Sequence, residues 1–285
     1  MRSAERGSVL VLTLALVILL VALAGSFLYA AGVQVLNSGW EETDGKVFWL
    51  AEAGLQKAIW NLRTPTSAGG QGEGWTTAGT TESLGDGSYT MVVTRYDFAL
   101  STNGSTATAK SSNGSNVPSR AIDNNTSTFW ESGSTVTNSN AEWIRIALPY
   151  TLTVLKVRFI APASANRPED YTWEVSADGS SWTTAKSVTN NSCLDRTDTF
   201  TAQSGANYVR MNVTNTGTNN RRVRVSTLEI VGSKVTSTGS VTSGGNTLTR
   251  AVVQTVSAID GSTVPTCSTL TTPAVAHVEP DWSES

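Results

Sequence analysis

The chain has 285 residues, 15% of them charged, and a formal net charge of −3. That length accommodates a sizeable core and two folding units, while the sparse, slightly acidic charge excludes the clustered positive footprint that nucleic acid requires. Ser, Thr, Asn and Gly dominate from Thr64 onward, the texture of short strands and many turns outside the cytoplasm. The one histidine, His277, sits in a proline-bearing tail, and no G-x-S-x-G, phosphate loop or H-E-x-x-H is present. The carboxylate pairs Glu41–Glu42 and Glu169–Asp170 read as solvated helix and loop positions, so no catalytic residue is singled out and the chain reads as a non-enzyme.

From Val9 to Ala31 there are 23 uncharged residues, against roughly 20 needed to cross a hydrocarbon layer of about 30 Å as helix. Arg2 and Arg6 precede the run and hold the short N-terminus on the cytoplasmic side. Three readings fit this segment: a secretion signal cut after Ala24, a simple anchor, or the packing helix of a filament subunit. Helical periodicity then continues. Trp40, Val47, Ala51, Leu55, Ala58 and Leu62 form an apolar stripe, with Glu41, Glu42, Lys46, Glu52, Lys57 and Arg63 between them. One helix is expected from Ser8 to Leu62, interrupted near Asn37-Ser38-Gly39 and ended by Thr64-Pro65.

The charged leader ending in Arg6-Gly7, the apolar helix and then "FWLAEAGLQKAIWNL" resemble the N-terminus of minor type IV pilins and of the minor pseudopilins of type II secretion. The resemblance implies cleavage after Gly7 by prepilin peptidase, methylation of Ser8, and assembly with other minor and major pilins through the helix. It departs from major pilins at the fifth mature position, where Leu12 replaces their glutamate. That absence is usual in the minor subgroup and in the tip pseudopilin, and implies a subunit at or near a filament tip, with a larger tip adhesin as a further partner.

"TPTSAGGQGEG" is a turn-rich connector, followed by an alternating strand from Tyr89 to Tyr96. Two more strands, joined around Gly244-Gly245, lie in "SKVTSTGSVTSGGNTLTRAVVQTVSAI". Small pilin heads keep these pieces together; here about 135 residues, the size of a domain, separate them. The expected organisation is a leader at 1–7, a filament-core helix at 8–63, a head sheet from 64–97 and 233–260, an inserted all-β sandwich at 98–232, and a tail at 261–285. The fold class is thus an α+β pilin carrying a jelly-roll insert.

Within the insert, "AIDNNTSTFWES", "EWIRIAL", "YTWEVSADGSSWTT" and "YVRMNVT…LEIVG" resemble, in order, the segments of the discoidin fold: the coagulation factor V/VIII type C domains and family 32 carbohydrate-binding modules. Asp123, Asn125 and Thr128 place three oxygen ligands on one loop, as a hard cation such as Ca²⁺ prefers, and Glu229 can supply an opposing carboxylate. The same residues read equally as an Asx-rich turn without metal. The resemblance adds the backbone oxygens of Arg120 and Leu228 and gives the ion a structural role. Trp130, Trp143 and Trp173 read as packing residues, and Trp182 as half-buried in its hairpin. Ligand loops of this fold lie at one end of the sandwich, where Arg167 and Asn219, Asn220, Arg221 and Arg222 are the candidates. The insert carries 12 Lys/Arg and 10 Asp/Glu, which suits an anionic glycan or surface. Cys193 and Cys267 can pair in an oxidising compartment.

The expectation is therefore an inner-membrane subunit with a periplasmic head, later extracellular at a filament tip, displaying a calcium-stabilised module that binds carbohydrate or another surface ligand. Two other readings stay open: a secreted lectin, and a membrane-anchored factor whose insert binds a partner protein.

Overall fold

The computed structural model describes residues 2–243, 245–257 and 267–268, with side chains for 14–34, 41–242 and 245–257. Helix α1, Arg2–Arg63, is continuous. It passes through Asn37-Ser38-Gly39 without the interruption the sequence suggested, since one glycine weakens a helix by only about 1 kcal/mol. It also begins at Arg2, ahead of Ser8, so Gly7 and Ser8 both lie within it. The helix stops before Pro65, with the Thr64 amide donating to Trp60 O at 2.9 Å. Leu14–Gln34 has a mean hydropathy of 2.5 and no buried residues, and is long and apolar enough to cross a membrane. Further along, Val47, Ala51, Leu55, Ala58 and Leu62 are all buried, as their spacing requires; the side chain of Trp40 lies outside the described ones.

Twelve strands follow among the described residues. They are β1 (Thr77–Leu84), β2 (Gly87–Asp97), β3 (Thr106–Ala109), β4 (Trp130–Glu131), β5 (Glu142–Ile160) and β6 (Pro168–Ser176). The rest are β7 (Thr183–Val188), β8 (Asp195–Thr216), β9 (Arg224–Val225), β10 (Thr227–Ser243), β11 (Asn246–Ser257) and β12 (Cys267–Ser268). The chain divides into two compact units: Met1–Gly54 with Thr81–Thr90 and Ser237–Val252, and Leu55–Thr80 with Met91–Thr236 and Val253–Ser285.

In the first unit, Val47, Leu50 and Val241 form a small core with Leu248 against it. Strand β10 comes so close to α1 that a Cβ on Gly239 would lie 2.2 Å from Val47 O; only glycine permits that approach. Strand β1 was not foreseen, because "TAGTTESL" lacks apolar alternation. It is an edge strand with no buried residue and has no core face to encode.

In the second unit, β10, β5, β8, β6 and β7 are hydrogen-bonded in that order, with β3 also on β5, and β4 and β9 form a separate pair. Alternation sets the faces. Ile144 and Ile146 on β5, Val209, Met211 and Val213 on β8, and Tyr171, Trp173 and Val175 on β6 point into one core, which Trp130 and Val225 of the small sheet close together with Val223. Phe159, Tyr171 and Trp173 meet edge to face at centroid distances of 5.5 and 6.0 Å. Asp198, fully buried, accepts from Tyr171 Oη at 2.7 Å and Trp173 Nε1 at 2.9 Å and is paired with Arg196 and Lys186. Strand β10 runs unbroken through Gly232 and Ser233, where the sequence suggested a boundary between insert and head. The crossing at Asp97–Phe98 is pinned to that strand, with Asp97 Oδ1 accepting from the amides of Ala99 and Ile230 at 2.8 and 2.9 Å and Phe98 N donating to Ile230 O. Cys193 is disulfide-bonded, and β12 sets Cys267 opposite Arg196 of β8. His277 and the remaining tail lie outside the described residues.

Candidate ligand-binding loops of the sandwich

Strand β4 places Trp130 opposite Val225 and Glu131 opposite Arg224. Period-two alternation turns Trp130 and Val225 into the core. Around this pair, four loops are tied together. Ser111 is one hub: its hydroxyl donates to Glu142 and accepts from Gly133 N, and its carbonyl accepts from Trp130 Nε1. Asn113 N donates to Glu131 O, Glu131 N to Asn116 O, Ser132 N to Val223 O and Val136 N to Arg221 O. Asn166 Nδ2 donates to Arg222 O, and Arg222 Nε to Gly133 O, which fastens loops 164–167 and 217–222 to loop 132–136.

The chemical centre is Glu131. Its side chain is 5% exposed. Arg224 Nε donates to Oε1 at 2.7 Å, and Asn113 and Asn116 donate to Oε2 at 2.5 and 3.3 Å. Burial alone would push this carboxyl up; the hydrogen bonds from Asn113 and Arg224 more than offset it and hold it below its ordinary range. Arg224 lies 5.0 Å above the Phe129 ring, and Arg120 Nη1 donates to Asn116 Oδ1. Nη1 and Nη2 of Arg224 and Oδ1 of Asn113 have no partner among the described residues. A fixed, ionised carboxylate, unspent guanidinium and amide groups and a half-exposed ring are the elements of a polar, orientation-specific site.

The sequence reading missed Asn113, Asn116, Phe129, Glu131 and Arg224. A signal existed in "RRVRV", whose alternation sets Arg222 and Arg224 on the face opposite Val223 and Val225. Of the foreseen ligand residues, Asn219, Asn220, Arg221 and Arg222 are exposed on the loop beside this centre, Asn220 with φ 61°. Arg167 is instead a brace. Its Nε donates to Asn191 O at 2.8 Å, Nη1 to Ser164 O at 2.7 Å, and Nη2 pairs with Glu169. A Cβ on Gly217 would lie 2.2 Å from Arg167 Nη1, so glycine there lets the loop close over the guanidinium. Glu169 and Asp170 are likewise not loop positions: they stand on β6 and both accept from Asn215 Nδ2.

The loop foreseen for a cation does gather oxygens. Thr128 Oγ1 lies 2.6 Å from Asp123 Oδ2, 2.9 Å from Asn125 O and 3.5 Å from Arg120 O. One carboxylate, two carbonyls and a hydroxyl at one point fit a hard cation. Three details differ from the sequence reading. The Asn125 side chain accepts from Ser127 N, so this residue offers its carbonyl. Glu229 stands on β10 opposite Arg158, and its carboxylate is held by Arg158 and Arg95, because an outward position on a strand between two arginines pairs locally. Leu228 is a core residue opposite Phe159. Among the described residues, no hydrogen bond joins Leu228 or Glu229 to the loop at 120–128.

The comparisons bear on residues within this unit. The model of the F5/8 type C domain matches residues 106–228. No curated protein matches the chain. Among solved structures, chitosan-binding module 1 from a Paenibacillus sp. IK-5 chitosanase/glucanase is 32% identical, with 48% of this chain and 98% of that one covered and a TM-score of 0.42. Module 2 of the same enzyme, in complex with chitotriose, is 26% identical over 47% and 98% of the two chains, at 0.41. A Clostridium perfringens CBM32 in complex with GalNAc-β-1,3-galactose is 19% identical over 47% and 98%, also at 0.41. Strand order, alternating core and family match agree, and residues 106–228 of this chain are an F5/8 type C domain.

Proposed function

We propose that this protein is a minor pilin or pseudopilin, set at or near a filament tip, whose F5/8 type C domain binds carbohydrate through the Glu131–Arg224 loops. The observation that carries the sugar reading is the buried, ionised Glu131 with unspent donors on Arg224 beside Phe129. Sugar hydroxyls take both donors and acceptors, and the face of an aromatic ring packs against sugar C–H groups, so this set suits a pyranose. Ca²⁺ would be held by Asp123, Thr128 and the carbonyls of Arg120 and Asn125, and would supply a rigid cross-link in the loop before Phe129. The filament reading rests on α1, which joins a 21-residue apolar span to an amphipathic "AEAGL" segment with a buried stripe.

Two experiments test this. The full chain in detergent is screened against a broad glycan panel beside its Arg224→Gln variant. Selective binding that the variant loses by tenfold or more is expected; indifference of the wild type to every glycan defeats the sugar reading. Mass spectrometry of the mature N-terminus, with and without prepilin peptidase, reads the filament half. A methylated Ser8 that depends on the peptidase is expected, and a start at Gly25 overturns it in favour of a secreted module.

A further inference from the structure

In the first unit, strand β2 opens at Gly87, where a Cβ would lie 2.5 Å from Leu50 Cδ1 and 2.6 Å from Ser240 O. Glycine there lets the β1–β2 turn press against α1. Between helix and turn runs a groove of about 540 Å³, lined at depth by the buried Leu50 and Val241. Trp49 on its helix side is 68% exposed, and Leu84 on its hairpin side is 51% exposed. Large apolar side chains left open on both sides of one groove mark a contact site; scattered surface apolar residues do not share a groove. Lipid does not account for them. Helix α1 is continuous, and Trp49 stands about 22 Å along its axis beyond Gln34, where the apolar stretch ends.

The rim is acidic. Three carboxylates, Glu41, Glu42 and Asp86, line the groove against one ammonium, Lys46, a balance of −2. Lys46 Nζ is spent on Glu42 at 2.9 Å, and Asp86 adds to the field it feels. Asp44 beside them pairs with Arg250 at 2.6 Å and changes nothing in that balance. Glu41 and Asp86 are exposed and make no hydrogen bond or ion pair among the described residues. The Trp49 ring is unspent as well. Phe48 meets it edge to face at 5.4 Å. Lys57 lies over Trp60 at 5.2 Å and Arg250 over Phe48 at 5.7 Å, but no cation lies over Trp49 among the described residues. An open indole face with unpaired carboxylates beside it attracts a cation.

We propose that this groove docks a peptide segment of a partner protein, one that carries an arginine or lysine beside a large apolar residue. The cation stacks on Trp49 next to the Glu41 and Asp86 carboxylates, and the apolar side chain fills the space against Leu84, Leu50 and Val241. Charge complementarity selects this occupant: an acidic segment would meet like charge at the rim, and an uncharged one would leave both carboxylates unpaired. Tryptophan is also among the side chains that dominate binding energy at contact surfaces. The groove shares no residue with the Glu131–Arg224 loops, so it stands independently of the glycan reading.

The test pans random dodecapeptides displayed on phage against the full chain in detergent, then measures the recovered peptides by fluorescence anisotropy. They are expected to carry Arg or Lys next to a large apolar residue, and to bind more weakly as salt rises. Trp49→Ala should weaken them at least tenfold, and so should Glu41→Gln combined with Asp86→Asn. All three positions are exposed, so the variants should keep the wild-type melting curve. Exchanging the peptide's cation for norleucine should weaken binding to the same extent. Recovery of no binder, of binders without a cation, or of binders indifferent to both variants overturns the proposal. Self-association of the chain that Trp49→Ala abolishes also overturns it, since the groove would then belong to a second copy.

Discussion

Two buried carboxylates in the same domain are treated differently. Asp198 and Glu131 are both pulled below the usual carboxylate range, in each case against the upward push of burial and by several donors. Around Asp198 the donors are Tyr171 and Trp173, each 2% exposed, with Arg196 and Lys186 at the rim. Every bond there serves the core. Around Glu131 the donors are the half-exposed Asn113, Asn116 and Arg224, of which Arg224 keeps Nη1 and Nη2 unspent. Both carboxylates are buried, but the partners of the second are accessible. Ionisation and burial alone therefore do not mark a binding group; the unspent capacity of its partners does.

The largest test of that contrast is Asp198→Ala. It strands two aromatic donors in the core and two cations at its rim, and should cost about 3–5 kcal/mol, read as a lower midpoint in urea. Glu131→Gln should cost only about 1–2 kcal/mol but abolish sugar binding; if it unfolds the domain as Asp198→Ala does, the contrast fails. Next is metal. Chelation should lower the thermal midpoint by the linkage of a bound ion, about 2.7 kcal/mol at a hundredfold excess over Kd, and Asp123→Ala should remove the difference. A further test is in pH. Burial, with the nearby Glu229 charge, raises the Asp97 carboxyl to about 7. Its folded state holds the proton more tightly, so its stabilisation is full below pH 4 and is lost as pH rises through 7. Glu131 and Asp198 act with the opposite sign and lose their stabilisation as pH falls through their lowered values. Asp97→Asn should flatten the fall in stability between pH 4 and 7 and leave the acid limb intact, as read from denaturant midpoints across a pH series.

How far the sequence was legible follows from the range of each signal. The stripe from Val47 to Leu62 and the strand alternation in "EWIRIAL" depend on neighbours within a turn or a strand, and both were readable. Trp143 was misjudged as packing. Its strand and period were clear, but which face becomes the core is set by Val209 and Met211 across the sheet. Arg167 looked like a free loop arginine, and only the return of residues 191 and 217 onto it shows a brace. Glu131 and Arg224 are 93 positions apart and meet through two residues of register.

By itself, the sequence determined the long helix, its apolar and amphipathic halves, the all-β domain between two flanking strand regions, and the oxygen-rich turn at Asp123. These rest on local periodicity, turn chemistry and composition, which every short segment carries with it. Only the tertiary structure decided which buried carboxylate has accessible partners, that Glu229 belongs to Arg158 and Arg95, and that Trp143 and Arg210 lie together on one outer face. Those outcomes depend on strand register, which fixes partners across the chain and leaves no trace in the residues on either side.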